Sequence, residues 1–355
     1  MLKVKNSLQR FRRSPAFAGC ILFVIALVLN ALLQGSSFFT IRSINTLFAK
    51  NVPFILVTMG QALLLMSGTM DISCGVQVAL VNVVTIMTGQ VWGLPFPVCC
   101  VLGIIAAMIA SVACWVCCSV FRLPALLASY ALTFAIKGVN VMIMDVPQGK
   151  VEKVFYKAYD SQIFGIIPVS ALALVLVLVI WLYVKRTKFG SHIYAVGANP
   201  RNAFAAGISP SGVQLKAFLL KGLFTGIAGV CLTLMIASGN PLQAEDYGIR
   251  SLSACILGGL GFGGWGNVSC GVFGAGFYVL IQNSVYYFFS LLAKTIPGFA
   301  VSSYWQNFVT DIIVFLGLLM TIVTAKGQRE ALKAGIVRQF KREELKVEEK
   351  GGENA

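Results

Sequence analysis

The stretch LLLMSGTMDISCGVQVAL, residues 63–80, is almost wholly apolar and nevertheless contains a carboxylate, Asp71. A carboxylate is costly to bury unless it is hydrogen-bonded or paired with an opposite charge. Ser73 and Gly75 follow it closely, and apolar runs extend on both sides. The pattern predicts two apolar helices that meet at a turn near Asp71, the second of them beginning near Gly75.

The composition indicates a membrane protein. Of the 355 residues, 57% are hydrophobic and 12% are charged, whereas a soluble domain has roughly 25% charged residues. The apolar residues form ten runs, several of about 18 residues or more, the length that spans a hydrocarbon core. The runs cover 16–34, 52–70, 75–92, 96–120, 124–144, 166–184, 215–237, 248–262, 266–289 and 305–324. We therefore predict an all-α, polytopic integral membrane protein with about ten transmembrane helices.

The basic residues predict the orientation. The net charge is +15, and Lys and Arg concentrate in the segment 1–15, the loop 185–214 and the tail 325–355. By the positive-inside rule all three segments lie in the cytoplasm, so we predict a transmembrane domain over 16–324 with both termini cytoplasmic. The same rule accounts for the positive charge without nucleic acid as a partner.

The order of the spans suggests internal symmetry. They divide into an extra first helix and two sets, 52–144 and 215–324. An offset of five spans inverts the topology of one set relative to the other, and inverted repeats are common in transporters. We predict an inverted-repeat architecture. The amphipathic segment 36–50 either lies along the membrane interface or forms a plain loop.

The sequence contains little that predicts an enzyme or a cofactor site. Cys114, Cys117 and Cys118 share a helix face, but cysteine in apolar runs is more often a small packing residue than a metal ligand. The only Gly-Lys pair, Gly149-Lys150, lacks the Ser or Thr and the spacing of a phosphate-binding loop. We predict that the chain binds no metal or cofactor and is not an enzyme. If transport is powered by ATP, another chain hydrolyses it.

Polar side chains inside the predicted spans are candidates for substrate passage or gating. Lys137 lies near the middle of its span, and a buried intramembrane cation needs a partner or a wet cavity. It would either form an ion pair, with Asp71 and Asp311 as candidate partners, or line the pathway. Asp71 or Ser73 would accept hydrogen bonds from the first amides of the next helix, or Asp71 would act directly in gating. The uncharged amides would contact a substrate or bridge helices. The candidates are Asp71, Ser73, Gln61, Asn82, Lys137, Asn140, Gln282 and Asn283.

The predicted cytoplasmic loop 185–214 is long for a connection between membrane helices. Between Pro200 and Pro210 it contains a small-residue apolar patch around Phe204. A short helix with such a face would dock into a groove of another protein. A stiff linker is the alternative.

Five motifs, in order along nearly the whole chain, resemble those of the membrane permease subunits of bacterial ABC importers for ribose, xylose and related simple sugars. They are SGTMDISCG (67–75), RLPALLASYALTFAIKG (122–138), YAVGANPRNAFAAGI (194–208), LGGLGFGGWG (257–266) and Trp305-Gln306. The LGGLG segment also resembles branched-chain amino-acid permeases. The chain departs from the sugar family's pattern at Thr69, Cys74, Lys137, Ala198, Asn202 and Phe204.

The resemblance implies a multi-pass protein of the bacterial inner membrane that imports a small sugar and forms its translocation pathway. It implies coupling to a separate ABC ATPase, which uses the ATP, through a loop helix. The matching residues are Asn199, Arg201, Ala203, Phe204, Ala206, Gly207 and Ile208. The other implied partners are a periplasmic substrate-binding protein, a second permease copy or a paralogue, and membrane lipid. The alternatives are the same machine for branched-chain amino acids, nucleosides or a sugar-derived signal, or an ion-coupled secondary transporter.

Overall fold

The computed structural model describes residues 15–324, apart from 164, 166, 262 and 297–301. The predicted terminal segments 1–15 and 325–355 lie outside the described residues, except for Pro15. The described part is nearly all helical. Its α-helices are α1 (Ala16–Gln34), α2 (Ile41–Met66), α3 (Cys74–Trp92), α4 (Phe96–Ser119), α5 (Ala125–Ile143), α6 (Lys153–Asp160), α7 (Ser170–Lys185), α8 (Lys188–Ala198), α9 (Pro200–Ala205), α10 (Pro210–Ile236), α11 (Tyr247–Leu257), α12 (Val268–Thr295) and α13 (Ser303–Thr324). Two short strands, β1 (Gln162–Ile163) and β2 (Ile167–Pro168), pair antiparallel between α6 and α7.

A helix occupies the position of each predicted apolar run, but fewer helices qualify as membrane spans. In the described part, α1–α5, α10 and α12 are long and apolar enough to cross a membrane. The count rises from seven to eight if α7 and α8, which meet at 79°, form one broken span. The run 248–262 becomes only the 11-residue α11, roughly 16 Å long and too short for a hydrocarbon core of about 30 Å. The ten-span count and the inverted repeat therefore stay predictions.

The segment 36–50 is neither a separate interfacial helix nor a plain loop, because α2 begins within it. Thr40 caps the helix by accepting a hydrogen bond from the Ser43 amide at 3.3 Å. The helix then continues through Pro53. A proline inside a helix leaves the carbonyl four residues earlier without its helical donor. That carbonyl, on Ala49, accepts a hydrogen bond from the buried Tyr159 hydroxyl at 2.9 Å.

The centre of the molecule is α10, which packs against α2, α3 and α4. Gly222 and Gly226 lie one turn apart on α10, and a Cβ at either would meet the Cα of Met108 or Ile104 on α4 at 2.8 or 2.9 Å. Small residues at four-residue spacing let two membrane helices approach this closely. A second layer forms where α12 packs against α1 and α2.

The far end of α2 lies beside two other segments of the chain. A Cβ at Gly197 on α8 would overlap the Met66 carbonyl oxygen and would meet the Gly264 backbone at 2.7 Å. Gly264 belongs to the glycine-rich turn between α11 and α12. Gly259, Gly263 and Gly264 adopt positive φ there, which glycine does at no steric cost. The α2 end, α8 and this turn therefore form one packed junction.

Candidate functional site

Asp71 forms the turn between α2 and α3. Its Oδ1 accepts hydrogen bonds from the Ser73 amide at 2.8 Å and from the Ser73 hydroxyl at 2.5 Å. Helix α3 begins at Cys74, and neither side chain bonds an amide of its first turn. The predicted capping contact is therefore wrong in detail. Asp71 instead stabilises the turn by accepting hydrogen bonds from Ser73, the residue that directly precedes the helix.

The second oxygen of Asp71 pairs with a lysine. Lys221 Nζ on α10 lies 2.6 Å from Asp71 Oδ2, and both side chains are fully buried, at 0% exposure. Lys221 is not among the residues predicted from the sequence, although it lies inside the predicted span 215–237. Its place in the sequence could have identified it, because a lone lysine in an apolar run needs a partner as much as Asp71 does.

Two uncharged side chains complete the hydrogen bonding of this pair. Gln77 Nε2 donates to Asp71 Oδ2 at 3.0 Å and to Ser73 Oγ at 2.9 Å. Gln77 Oε1 accepts from Lys221 Nζ at 2.6 Å and from Ser111 Oγ at 2.9 Å. We call Asp71, Ser73, Gln77, Ser111 and Lys221 the buried charge cluster. It joins the turn before α3 to α3, α4 and α10, and its charges balance, as a buried ion pair requires.

Lys137 does not pair as expected. Its Nζ lies 2.9 Å from Glu245 Oε2, and the two side chains are 38% and 35% exposed. Asp71 is already paired with Lys221, and Asp311 Oδ1 accepts a hydrogen bond from the Tyr278 hydroxyl at 3.3 Å. Neither candidate partner of Lys137, Asp71 or Asp311, is therefore its partner in the structure. An ion-coupled secondary transporter would need intramembrane charges at a midplane site, and a Lys137–Asp311 pair of that kind is not formed.

Three of the candidate amides bridge helices or loops. Asn82 on α3 donates to Thr233 Oγ1 and to the Ser238 carbonyl, each at 3.0 Å, and accepts from the Asn240 amide at 2.7 Å. Asn140 on α5 donates to the Val76 carbonyl at 3.0 Å. On α12, Asn283 donates to Asn30 Oδ1 on α1 at 2.9 Å, and its neighbour Gln282 is partly buried. A role of these residues in substrate passage stays a prediction.

Gln61 on α2 is different from the other amides. Its side chain is fully buried, and neither Oε1 nor Nε2 has a hydrogen-bond partner among the described residues. An unsatisfied buried polar group costs about 1–3 kcal/mol. Gln61 therefore has unused hydrogen-bonding capacity in the interior of the protein.

The predicted docking residues form a helical turn with one large apolar side chain on its surface. Asn199 caps α9 by accepting hydrogen bonds from the Arg201 and Asn202 amides at 3.0 and 3.1 Å. Ala203 is buried, whereas Phe204 is 72% exposed. After α9 the chain turns back at Ala206 and Gly207, and the Ile208 amide bonds the Ala203 carbonyl at 3.0 Å. The structure thus brings Asn199, Arg201, Ala203, Phe204, Ala206, Gly207 and Ile208 together.

The comparison with known protein families decides the class of this chain. Residues 43–323 match the family described as the permease component of branched-chain amino acid transport systems. The chain belongs to this family. This multi-pass membrane protein is therefore a transport permease, and family members are not enzymes.

Curated relatives resemble this permease over most of its length. It is 24% identical to the probable ABC transporter permease YphD of Escherichia coli K12, over 88% of this chain and 91% of the relative. It is 22% identical to the autoinducer 2 import permease LsrC of Photorhabdus luminescens, over 79% and 82%. A part of it is 32% identical to the ribose import permease RbsC of Bacillus subtilis 168, over 46% and 49%. These relatives confirm the resemblance to ABC permeases, and no solved structure matches the chain.

Proposed function

We propose that this chain is the permease subunit of an ABC importer and that it forms the membrane pathway of a small sugar. The observation that carries the proposal is the likeness to import permeases named for ribose and for autoinducer 2. The sugar-permease motifs of the sequence support the same substrate class. The family description names branched-chain amino acids, and these are therefore the second candidate substrate.

The α8–α9 segment supports coupling to a separate ATPase. Phe204 projects from a short capped helix, and an exposed apolar side chain of this kind suits insertion into a groove. ATP binding by a dimeric ATPase would move two such docked helices together. Helix α8 would pass the movement to α2 through the contact between Gly197 and Met66. The chain itself would bind no cofactor, because the ATPase uses the ATP.

The assembly that we propose has this chain in the bacterial inner membrane with both termini in the cytoplasm, and surrounded by lipid. Ten spans with an inverted repeat agree with that topology, if α7 with α8, α11 with its flanking turns, and α13 each form one span. A second permease copy or a paralogue would complete the pathway, and a periplasmic binding protein would deliver the substrate.

The polar groups of the pathway would contact substrate only transiently, since the binding protein selects it. Gln61 is the strongest of these candidates because its buried amide has no partner among the described residues. Asn82, Asn140, Gln282 and Asn283 are weaker candidates, and three of them already bridge helices or loops. Gating would involve the buried charge cluster, to which Asp71 and Ser73 belong. It would also involve the ion pair between Lys137 and Glu245.

Co-purification tests the proposal. The tagged chain is extracted from its native membranes in a gentle detergent, with and without crosslinking, and the accompanying chains are identified by mass spectrometry. We expect an ABC ATPase and a substrate-binding protein. The binding protein is then tested for thermal stabilisation by ribose, xylose, leucine and a nucleoside, which separates the candidate substrates. If the chain is recovered alone even after crosslinking, the importer proposal fails.

A further inference from the structure

Three adjoining cavities lie beside the first turns of α2. The largest has a volume of about 510 Å³, and the other two have volumes of about 370 Å³ and 210 Å³. Thr46 lines all three, while Arg42 and Lys50 each line the largest and one of the others. We call the three together the α2 cavity.

The α2 cavity lies at the end of the molecule opposite to α8. Helix α2 runs from this cavity to Met66, whose carbonyl lies against Gly197 of α8. The distance along the helix axis from Thr46 to Met66 is about 30 Å, at 1.5 Å per residue, which is the thickness of a hydrocarbon core. With α8 in the cytoplasm, the α2 cavity opens on the outer side of the membrane.

Positive charge exceeds negative charge in the lining of the α2 cavity. Arg42 and Lys50 both line the 510 Å³ cavity and are exposed. Neither takes part in any ion pair among the described residues. Asp160 is the one acidic residue that lines the two smaller cavities, and the largest has none. The cavity therefore offers two cations to an anionic ligand.

Uncharged hydrogen-bonding groups surround these cations. Asn45 is only 8% exposed and lines the 370 Å³ cavity. Its Nδ2 is buried and has no acceptor among the described residues, which makes it a donor that needs a ligand or water. The hydroxyl residues Ser43, Tyr286 and Tyr287 line the largest cavity, and hydroxyl groups both donate and accept. Such a lining suits a ligand that carries hydroxyl groups as well as a charge.

We propose that the α2 cavity binds a phosphate ester that carries free hydroxyl groups. The planar fork of an arginine matches two phosphate oxygens, and a lysine adds a point charge beside it. Asn45 and the hydroxyl residues would bond the alcohol part of the ligand. A soluble polyol phosphate and the glycerol-phosphate headgroup of phosphatidylglycerol both supply this chemistry. The proposal depends on the lining of the cavity and not on the transport function.

The test measures the midpoint of thermal unfolding of the full-length chain in lipid nanodiscs, by tryptophan fluorescence. One arm adds glycerol 3-phosphate to nanodiscs of phosphatidylcholine. The other arm replaces about a third of the phosphatidylcholine by phosphatidylglycerol. At a ligand concentration about ten times its Kd, the midpoint should rise by about 3 °C in at least one arm. The double variant Arg42→Gln/Lys50→Gln should lose this rise.

Two further variants decide the interpretation. The control Lys150→Gln/Lys153→Gln removes the same amount of positive charge. Lys150 lies in the loop between α5 and α6 and Lys153 begins α6, and both are exposed and outside the cavity lining. This variant should keep the rise in the unfolding midpoint. Asn45→Leu removes an unpartnered donor, so the chain should fold normally and yet lose most of the rise.

The two arms identify the source of the ligand. A rise with glycerol 3-phosphate assigns a soluble phosphate ester, and a rise with phosphatidylglycerol alone assigns a lipid headgroup. If neither arm shifts the midpoint, the proposal is overturned. The same holds if the two double variants lose the rise equally, because the effect would then be one of net charge.

Discussion

At the scale of single residues, the buried charge cluster shows why a carboxylate can lie in an apolar sequence. Both oxygens of Asp71 accept hydrogen bonds, and Lys221 Nζ contacts Asp71, Gln77 and Ser111. A buried ion pair tolerates desolvation only with such additional hydrogen bonds. Removing either charge would leave the other buried without compensation, whereas removing both would not.

Replacement of Lys221 tests this argument. We expect Lys221→Met to destabilise the protein by about 3–5 kcal/mol, the usual cost of breaking a buried pair. Asp71→Asn combined with Lys221→Met should regain a large part of that loss. The control is Lys137→Met, because Lys137 and Glu245 are 38% and 35% exposed and such a pair contributes less than about 1 kcal/mol. Denaturant titration in detergent measures all three, and equal losses for Lys221→Met and Lys137→Met would contradict the argument.

The same residues show the limit of sequence reasoning. The burial cost of Asp71 was predictable, because it follows from the apolar residues on either side. Its partner was not, because Lys221 lies 150 residues away and the sequence places Lys137 in an equally apolar run. Only the packing of α10 against α3 and α4 distinguishes the two lysines.

Phe204 carries a prediction about the partner ATPase. It is 72% exposed, so Phe204→Asp should leave the fold of this chain nearly unchanged, within about 0.5 kcal/mol. The buried charge should abolish docking, because truncating an aromatic anchor alone costs about 2 kcal/mol or more at an interface. The matched control is Ser191→Asp, an exposed position on α8. Co-purification measures both, and an unchanged amount of ATPase with Phe204→Asp would place the docking surface elsewhere.

At the scale of elements, α2 illustrates why a helix boundary escapes sequence analysis. The apolar run predicted a span from 52, whereas the helix begins at Ile41 and passes through Pro53. The compensation comes from Tyr159, 110 residues away, whose hydroxyl bonds the Ala49 carbonyl. The boundaries of α1 and α3 were predictable because local apolar runs and turn residues define them. The continuation of α2 through Pro53, in contrast, is supported by a tertiary contact.

Tyr159→Phe should therefore weaken α2 at its proline. The Ala49 carbonyl would be left buried without a donor, at a cost of about 1–3 kcal/mol. Tyr156→Phe is the control, since Tyr156 lies on the same helix α6 and makes no hydrogen bond described for its hydroxyl. The midpoint of thermal unfolding should fall with Tyr159→Phe and not with Tyr156→Phe. Hydrogen exchange in α2 around Pro53 should rise only in the first variant.

At the scale of the whole molecule, one junction connects the proposed docking segment, α8 and α9, to the membrane helices. Gly197 of α8 lies against the Met66 carbonyl at the end of α2, and Asp71 follows a few residues later. If α8 moves, this packed backbone would pass the movement towards the buried charge cluster. Since the cluster also holds α3, α4 and α10, such a movement would be distributed to most of the core.

Gly197→Ala should break this transmission while leaving the docking surface intact. The added Cβ would overlap the Met66 carbonyl oxygen and meet the Gly264 backbone at 2.7 Å, so α8 must shift away from α2. Phe204 remains exposed, and the ATPase should still co-purify. ATP-driven uptake into proteoliposomes should fall by about tenfold, the scale of a typical coupling free energy. Gly212→Ala is the matched control, because its Cβ would meet nothing closer than Ser209 Oγ at 3.4 Å. Equal uptake by the two variants would show that α8 does not drive α2, whereas loss of uptake together with loss of the ATPase would mean that Gly197 supports docking itself.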